Sequence, residues 1–424
     1  MSKIYDYQGN EVIVTPQIET LEPQANDIPI VTISGILPTA KSQGEVNAVI
    51  SYKSITSEFV DYATLKVQGD SSTMYPKKNF TIKLFSDSEM TVKDKRKFRN
   101  WDKARNKFVL KANWIDHSHA RNIVNARLWT QIVKSRTDFS TLPVTLKESN
   151  LAIDGFPVKV YNNGIYMGLY TWNLPKDSLY GLDDEIDSNA IVQGGSNQYS
   201  GSILWRASTM GNKWSDETHD SMPSVISSGF NALMNFVYTA TDNDFVANFS
   251  NYADKMSIID QYILLYVACI VDNIGKNQTF FTYNGTYWYG GMYDMDGTWG
   301  LPAFNLGQGW KSAETIFQDD YSAVVEGTGE TNLLYERVGT LFNDDIIARY
   351  TTLRNTVLSE DNINKEFEKF MSIIPPHIYA EDYASTTGGG NFTGIPLKDT
   401  NNIQQIRQFV VDRLEYVDSQ ILSS

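Results

Sequence analysis

The chain is poor in the residue types that staple or metallate small proteins. It holds one cysteine, Cys269, in 424 residues, so no intrachain disulfide exists, and this thiol sits inside an apolar stretch as core filler. Histidine is nearly as scarce, with four copies. His117 and His119 lie two apart before a helix without a matching third ligand, and read as capping or surface residues rather than a metal site. His219 and His377 stand alone, and no Gly-x-Ser-x-Gly stretch supports a hydrolase triad. Long hydrophobic runs are missing too. The longest, Tyr262 to Val271, covers about half of the roughly 20 residues a bilayer crossing needs, so it reads as a buried helix with no membrane insertion. Basic residues are outnumbered, 36 against 50 acidic, for a net charge of −14. That balance argues against nucleic acid as a partner, because phosphate backbones are gripped by clustered Lys and Arg. The basic strip from Lys93 to Lys111 is interleaved with Asp94 and Asp102 and reads as a solvated face; bordering a cleft, it would attract ATP or an acidic protein. The opening Met-Ser-Lys-Ile-Tyr-Asp has no apolar signal-peptide core, which implies synthesis in a cytoplasm and leaves incorporation into a virion or other surface particle open.

What is present is a folded composition, hydrophobic 42% and charged 20%, on a chain longer than one core usually supports. Two lobes with a cleft between them are the expectation. Residues 1–45 alternate short β-like runs with Pro and polar turns and read as an extension or tether. Residues 46–172 read as a strand-rich N-lobe: Val46–Ile50, Ala63–Gln68, Asn79–Leu84, Lys107–Leu110, then Phe156–Tyr161 and Tyr166–Trp172 joined through Asn162-Asn-Gly164, a hairpin signal. One helix, Ser118 to Val133, interrupts them, with Asp116 and Ser118 as caps. Residues 173–424 read as a mainly helical C-lobe with helices at Ser224–Tyr238, Lys255–Val271, Asn332–Phe342, Asp345–Leu358, Ile363–Ile374 and Thr400–Ile421. The fold class is therefore α+β, and no repeat recurs at a fixed period. The loop Thr386-Thr-Gly-Gly-Gly-Asn391 lacks the spacing of a phosphate-binding fingerprint.

The chemistry concentrates in Asp272-Asn-Ile-Gly-Lys-Asn277, two short aromatic strands and Asp294-Met-Asp-Gly297. An acid, an amide five positions on and an acidic pair after a hairpin is the order in which kinase-like folds hold a magnesium nucleotide. Phosphoryl transfer asks a protein for hard oxygen ligands, an orienting carboxylate and a cation on the phosphates. Thr279–Tyr283 and Thr286–Tyr293 around Asn284-Gly285 would return Asp294 to the neighbourhood of Asp272. Asp272 is then the group that accepts or orients the attacking hydroxyl's proton. Asn277 and Asp294 hold Mg²⁺ or Mn²⁺, and Asp296 is a second ligand or an acceptor for the Gly297 turn. Taken singly, each of these residues has an ordinary turn explanation. For the cation, Lys83 on the alternating strand Lys77–Lys83 is the first choice and Lys78 the second. Ser71 and Ser72, in the small-residue turn Gln68-Gly-Asp-Ser-Ser72, would cover phosphates with backbone amides.

These blocks resemble the spore coat protein H (CotH) kinase family of atypical protein kinases. Gln68-Gly-Asp-Ser-Ser72 with the following Lys-Lys strand looks like the family's Arg-Gly-Asn-Ser segment. The stretch from Asp116 to Asn122 is similar to its Asp-x-x-x-x-Arg-Asn helix start, and Asn163-Gly-Ile-Tyr-Met-Gly-Leu-Tyr170 to its hairpin. Asp272-Asn and Tyr293-Asp-Met-Asp-Gly-Thr-Trp-Gly300 look like its Asp-Asn loop and metal segment, and Ile406–Arg413 is also family-like. Gln68 and Tyr293 depart from the usual Arg and Trp. The resemblance implies a two-lobed protein-kinase-like fold that uses ATP and Mg²⁺ (or Mn²⁺) to phosphorylate Ser or Thr of a protein substrate. Two other readings stand beside it: a non-catalytic structural or adhesive relative of a phage tail or surface assembly, with assembly partners in place of substrate; and a carbohydrate-active protein using its 9 Trp and 24 Tyr.

Overall fold

The computed structural model describes residues 28–195, 201–270, 272–301, 310, 312–315, 331–386 and 400–422, together with the backbone of three short strands before residue 28. It is a mixed α+β protein with a strand-rich N-terminal part and a helical C-terminal part.

The N-terminal part closes on itself. Seven strands form a barrel in the order Gly155–Asn162, Ile165–Asn173, Lys107–Lys111, Asn79–Phe85, Glu58–Gln68, Val46–Lys53 and Ile30–Ser34. All neighbours run antiparallel except at the seam, where Ile30–Ser34 lies parallel to Gly155–Asn162. Strict two-residue alternation drives the closure. Val31 and Ile33, Leu65 and Val67, Phe80, Ile82 and Leu84, Phe108 and Leu110, Val158 and Val160, and Tyr170 and Trp172 all point inward and are buried. Phe98, on the two-residue strand Lys97–Phe98, plugs the interior with its ring against Tyr52, Phe59, Trp101, Phe108, Phe156 and Trp172. The expected extension therefore ends earlier than residue 45: Ile30–Ser34 is the seam strand of the barrel, because without it Val46–Lys53 and Gly155–Asn162 would both be open edges.

The C-terminal part packs around the helix Lys255–Val267, which is buried along most of its length and ends before the run's last apolar residues. A four-stranded antiparallel sheet, ordered Trp214–Asp216, Ala190–Gly194, Thr279–Thr282, Tyr289–Gly291, lies against it. The helices Ser224–Thr239, Leu333–Leu341, Asn343–Arg354, Glu360–Met371 and Ile403–Ile421 fall at the expected places, with ends shifted by a few residues. Pro376–Thr386 is a further helix that periodicity did not announce. The glycine-rich loop after it lies outside the described residues. The helix Arg121–Lys134 is shared: it leaves the barrel and packs into the larger core. It starts three residues later than expected, with Ala120 at the N-cap and no side-chain bond from that residue; Asp116 and Ser118 hold the entry instead, Asp116 accepting from the Arg121 backbone amide at 3.0 Å and Ser118 Oγ from that of Ala120 at 3.2 Å.

Candidate active site

Outward-facing residues of three barrel strands form one wall of a cavity of about 590 Å³; the segments 272–277 and 293–297 form the other. Among the described residues seven lysines and six carboxylates line it, in a chain whose acids outnumber its bases. Lysines and carboxylates are nearly balanced here, against an acidic excess over the whole chain, so a polyanion is met by cations rather than by net negative charge.

The return of Asp294 toward Asp272 takes place, through a hairpin shorter in strand than expected: Thr279 pairs with Gly291 and Phe281 with Tyr289, and residues 283–288 make a wide turn. Asn284 Oδ1 holds that turn by accepting from the amides of Thr286 and Tyr287. The two arms are then tied directly, Asn273 Nδ2 donating to Tyr293 O at 2.7 Å. Asp272 begins a four-residue helix, Asp272–Gly275, and accepts from Asn277 Nδ2 at 2.9 Å, with the Lys276 ammonium 3.7 Å away. Asn277 is pinned in turn by the strand Ala190–Gly194, its amide donating to Gly194 O at 3.1 Å. Asn277 and Asp294 both hold left-handed backbone, φ 55° in each, a conformation that Asn and Asp tolerate and that concentrates where side chains are aimed for function.

The helix Arg121–Lys134 supports the Asp294 segment from behind. Asn122 Oδ1 accepts from Met295 N at 3.0 Å, Asn125 Nδ2 donates to Met295 O at 2.9 Å, and Trp299 Nε1 donates to Asn125 Oδ1 at 2.8 Å. Arg121, fully buried on Asp116, donates to Thr298 O at 3.0 Å. The spacing Asp116 to Asn122 thus builds a rigid bracket for residues 294–299.

Asp272, Asn277, Asp294, Asp296, Ser71 and Ser72 all line the one cavity. Lys83 and Lys78 do not. Lys83 shares the outward parity of Thr81, but it lies one step further along the strand and pairs with Glu45 at 2.5 Å. Lys78 turns back on its own loop and bonds the carbonyls of Thr73 and Tyr75. The cation that sits at the acidic pair is Lys111, on the outer face of Lys107–Lys111: its ammonium is 2.5 Å from Asp294 Oδ1 and 3.7 Å from Asp296 Oδ2. Lys107 also reaches the cavity, so part of the basic strip borders it, while Arg96 is buried in ion pairs with both Asp61 and Asp94. Lys111 carries the same alternation signal as Lys83; what separates the two is barrel register, which local sequence does not encode.

Electrostatics follow from this crowding. Burial pushes the Asp294 carboxyl up, but the Lys111 ammonium outweighs it and holds the group below the usual carboxylate range. Burial, with Asp294, Asp116 and Asp272 nearby, pushes Asp296 up to about 6. Burial disfavours charge on Lys111 too, yet the two aspartates keep it protonated well above its ordinary value.

A second network seals the cavity wall at Lys77. Its ammonium lies 2.9 Å from Asp382 Oδ1 and 2.5 Å from Leu169 O. Asp382, on the helix Pro376–Thr386, also accepts from Leu169 N at 2.7 Å and contacts His119 Nε2 at 2.9 Å; Asn113 Nδ2 meets the other ring nitrogen at 3.0 Å. His117 and His119 are accordingly buried, not surface residues.

With this geometry in place, comparison with known families is decisive. The family model described as CotH kinase protein matches residues 65–417. The chain belongs to the CotH kinase family. A search of curated proteins finds no match. The matched CotH region contains the cavity-lining barrel strands, the Arg121–Lys134 bracket, both acidic segments and the Asp382 helix.

Proposed function

We propose that this CotH family member is an ATP- and Mg²⁺-dependent protein kinase whose strand-rich and helical parts serve as the two lobes of a kinase-like catalytic unit, with Ser or Thr of a protein as acceptor. The observation that carries the proposal is the convergence of Asp272, Asn277, Asp294 and Asp296 on one cavity faced by barrel lysines.

The donor set fits a small hard cation. Asp294, Asp296 and the Asn277 side-chain carbonyl offer hard oxygen donors, and both carboxylates lie within 4 Å of one ammonium, that of Lys111. No group of three or more His, Cys, Asp or Glu side chains able to hold a metal occurs among the described residues. Mg²⁺ keeps water and phosphate oxygens in its shell and asks a protein for one or two carboxylates. The ion, when bound, would neutralise charge developing on the transferred phosphoryl group. The chain's own contributions are separable. Asp272, held in place by Asn277 Nδ2, orients the acceptor hydroxyl and takes its proton. Lys111 supplies positive charge beside the metal segment, Ser71 and Ser72 cover the phosphates, and the Arg121–Asn125 bracket keeps Asp294 from drifting.

The test is transfer of label from γ-³²P-ATP to casein or to the chain itself. Label should appear with Mg²⁺ or Mn²⁺, vanish with a chelator, and be lost in Asp294→Asn. Equal labelling by wild type and Asp294→Asn would refute the assignment of roles.

A further inference from the structure

Lys111 is held by the acidic pair itself. Its ammonium stands between the Asp294 and Asp296 carboxylates, 2.5 and 3.7 Å away, on the side of the acidic pair that opens to the cavity. The side chain is 16% exposed, anchored on a barrel strand, so it reaches across from one wall to the other and joins the barrel to the acidic segment. An ammonium is about the charge carrier that two close carboxylates require in the absence of a divalent ion, and a single charge leaves their repulsion incompletely relieved. Lys276 lies 3.7 Å from Asp272 and adds a second ammonium to the acidic lining.

We infer that Lys111 is a resident counter-cation of the metal position and couples metal entry to nucleotide entry: a divalent ion displaces the ammonium from Asp294, and the triphosphate receives it. This rests on the reading of the cavity as a metal–nucleotide site. A free divalent ion must drive the lysine off without a new partner for it, so metal alone binds weakly. A free triphosphate meets a lysine already neutralised by aspartates, so nucleotide alone binds weakly. Arriving together, each supplies the other's missing partner, and the two affinities become linked by one reciprocal factor. Lys111 is on this account a positioning residue that sets the order of assembly.

The experiment is calorimetric and spin-resonance titration of Mn²⁺ into the full chain, with and without ATP, for wild type, Lys111→Met and Lys111→Arg. Thermal melting checks that each variant is folded. The wild type should bind Mn²⁺ more tightly with ATP by a factor in the range of about 5–150. Lys111→Met should bind Mn²⁺ alone more tightly than wild type, by about tenfold, while the ATP-dependent factor collapses toward one. Lys111→Arg, which keeps the charge, should bind Mn²⁺ alone about as weakly as wild type. If Lys111→Met binds Mn²⁺ alone no better than wild type, the lysine does not occupy the metal position and the inference is overturned. Loss of ATP binding in the wild type with Mn²⁺ present would instead overturn the metal–nucleotide reading, and the Mn²⁺-alone comparison would still decide the role of Lys111.

Discussion

Asp272 and Asp294 line one cavity, and the proposed kinase chemistry gives them different tasks that substitution should separate. Asp272→Asn removes the proton acceptor while keeping its size and its contact with Asn277; label transfer should drop by about 10²–10⁴-fold with Mg·ATP affinity little changed. Asp294→Asn removes the carboxylate nearest Lys111, so metal-dependent ATP binding itself should be lost, which calorimetry would register. A reversal of these two patterns would exchange the roles. Gly168 marks a third critical position. It holds φ +113°, and a Cβ there would meet Asp382 Oδ1 at 2.6 Å and the Lys77 ammonium at 3.0 Å. Gly168→Ala should destabilise the fold by roughly 1–3 kcal/mol in a urea titration, because both backbone strain and displacement of Asp382 act in the same direction. At this scale the acidic residues were legible in the sequence, since acid–amide and acid–x–acid spacings flank a recognisable turn. Lys111 was not. The choice between Lys83 and Lys111 depends on how far each strand slides before the barrel closes, and on Glu45 arriving to neutralise Lys83.

Among the elements, the helix Pro376–Thr386 matters more than its size suggests. It delivers Asp382, 2% exposed, to Lys77, Leu169 N and His119, residues that lie 213 to 305 positions away in the chain. Such separations leave no local trace, which is why His119 read as a surface residue and the helix escaped notice. Burial alone would push the Asp382 carboxyl up; Lys77 and His119 outweigh it and hold it far below the ordinary range. A carboxylate whose folded pKa is depressed contributes stability that is complete above the unfolded value of about 3.9 and is lost as pH falls below it. Wild type should therefore melt progressively lower below about pH 4. Asp382→Asn, which strands a buried ammonium, should cost about 3–5 kcal/mol at pH 7, with the gap to wild type narrowing below pH 4. A gap that is constant from pH 7 to 3 would show that the ion pair carries no net stability. The helix Arg121–Lys134 is the other organising element. Its strong apolar periodicity made it readable, but its bracket function rests on polar residues, Arg121, Asn122 and Asn125, whose partners sit past residue 294.

For the molecule as a whole, the sequence conveyed a strand-rich part followed by a helical part, because two-residue and 3.6-residue periods differ plainly along the chain. It did not convey closure. The seam strand Ile30–Ser34 pairs with Gly155–Asn162 over more than a hundred residues, and its polar, Pro-flanked neighbourhood looks like a linker until the partner edges are seen. The plug at Phe98 should be a stability determinant of the entire barrel: Phe98→Ala removes a ring buried among six aromatic neighbours and should cost about 3–5 kcal/mol in chemical denaturation. The charge distribution belongs to this scale as well. A chain of net charge −14 gathers lysines around one cavity, so association with a triphosphate should weaken as salt rises while the rest of the surface repels polyanions.

The central claim is that the acidic segments and the barrel lysines together bind one metal–nucleotide unit. Its most direct test is a crystal of the chain soaked with Mn²⁺ and a non-hydrolysable ATP analogue, read by anomalous scattering. The account predicts a manganese peak at Asp294, with the phosphates lying between it and the barrel wall and Lys111 moved off the carboxylate. A peak elsewhere, or a nucleotide bound outside this cavity, would contradict it.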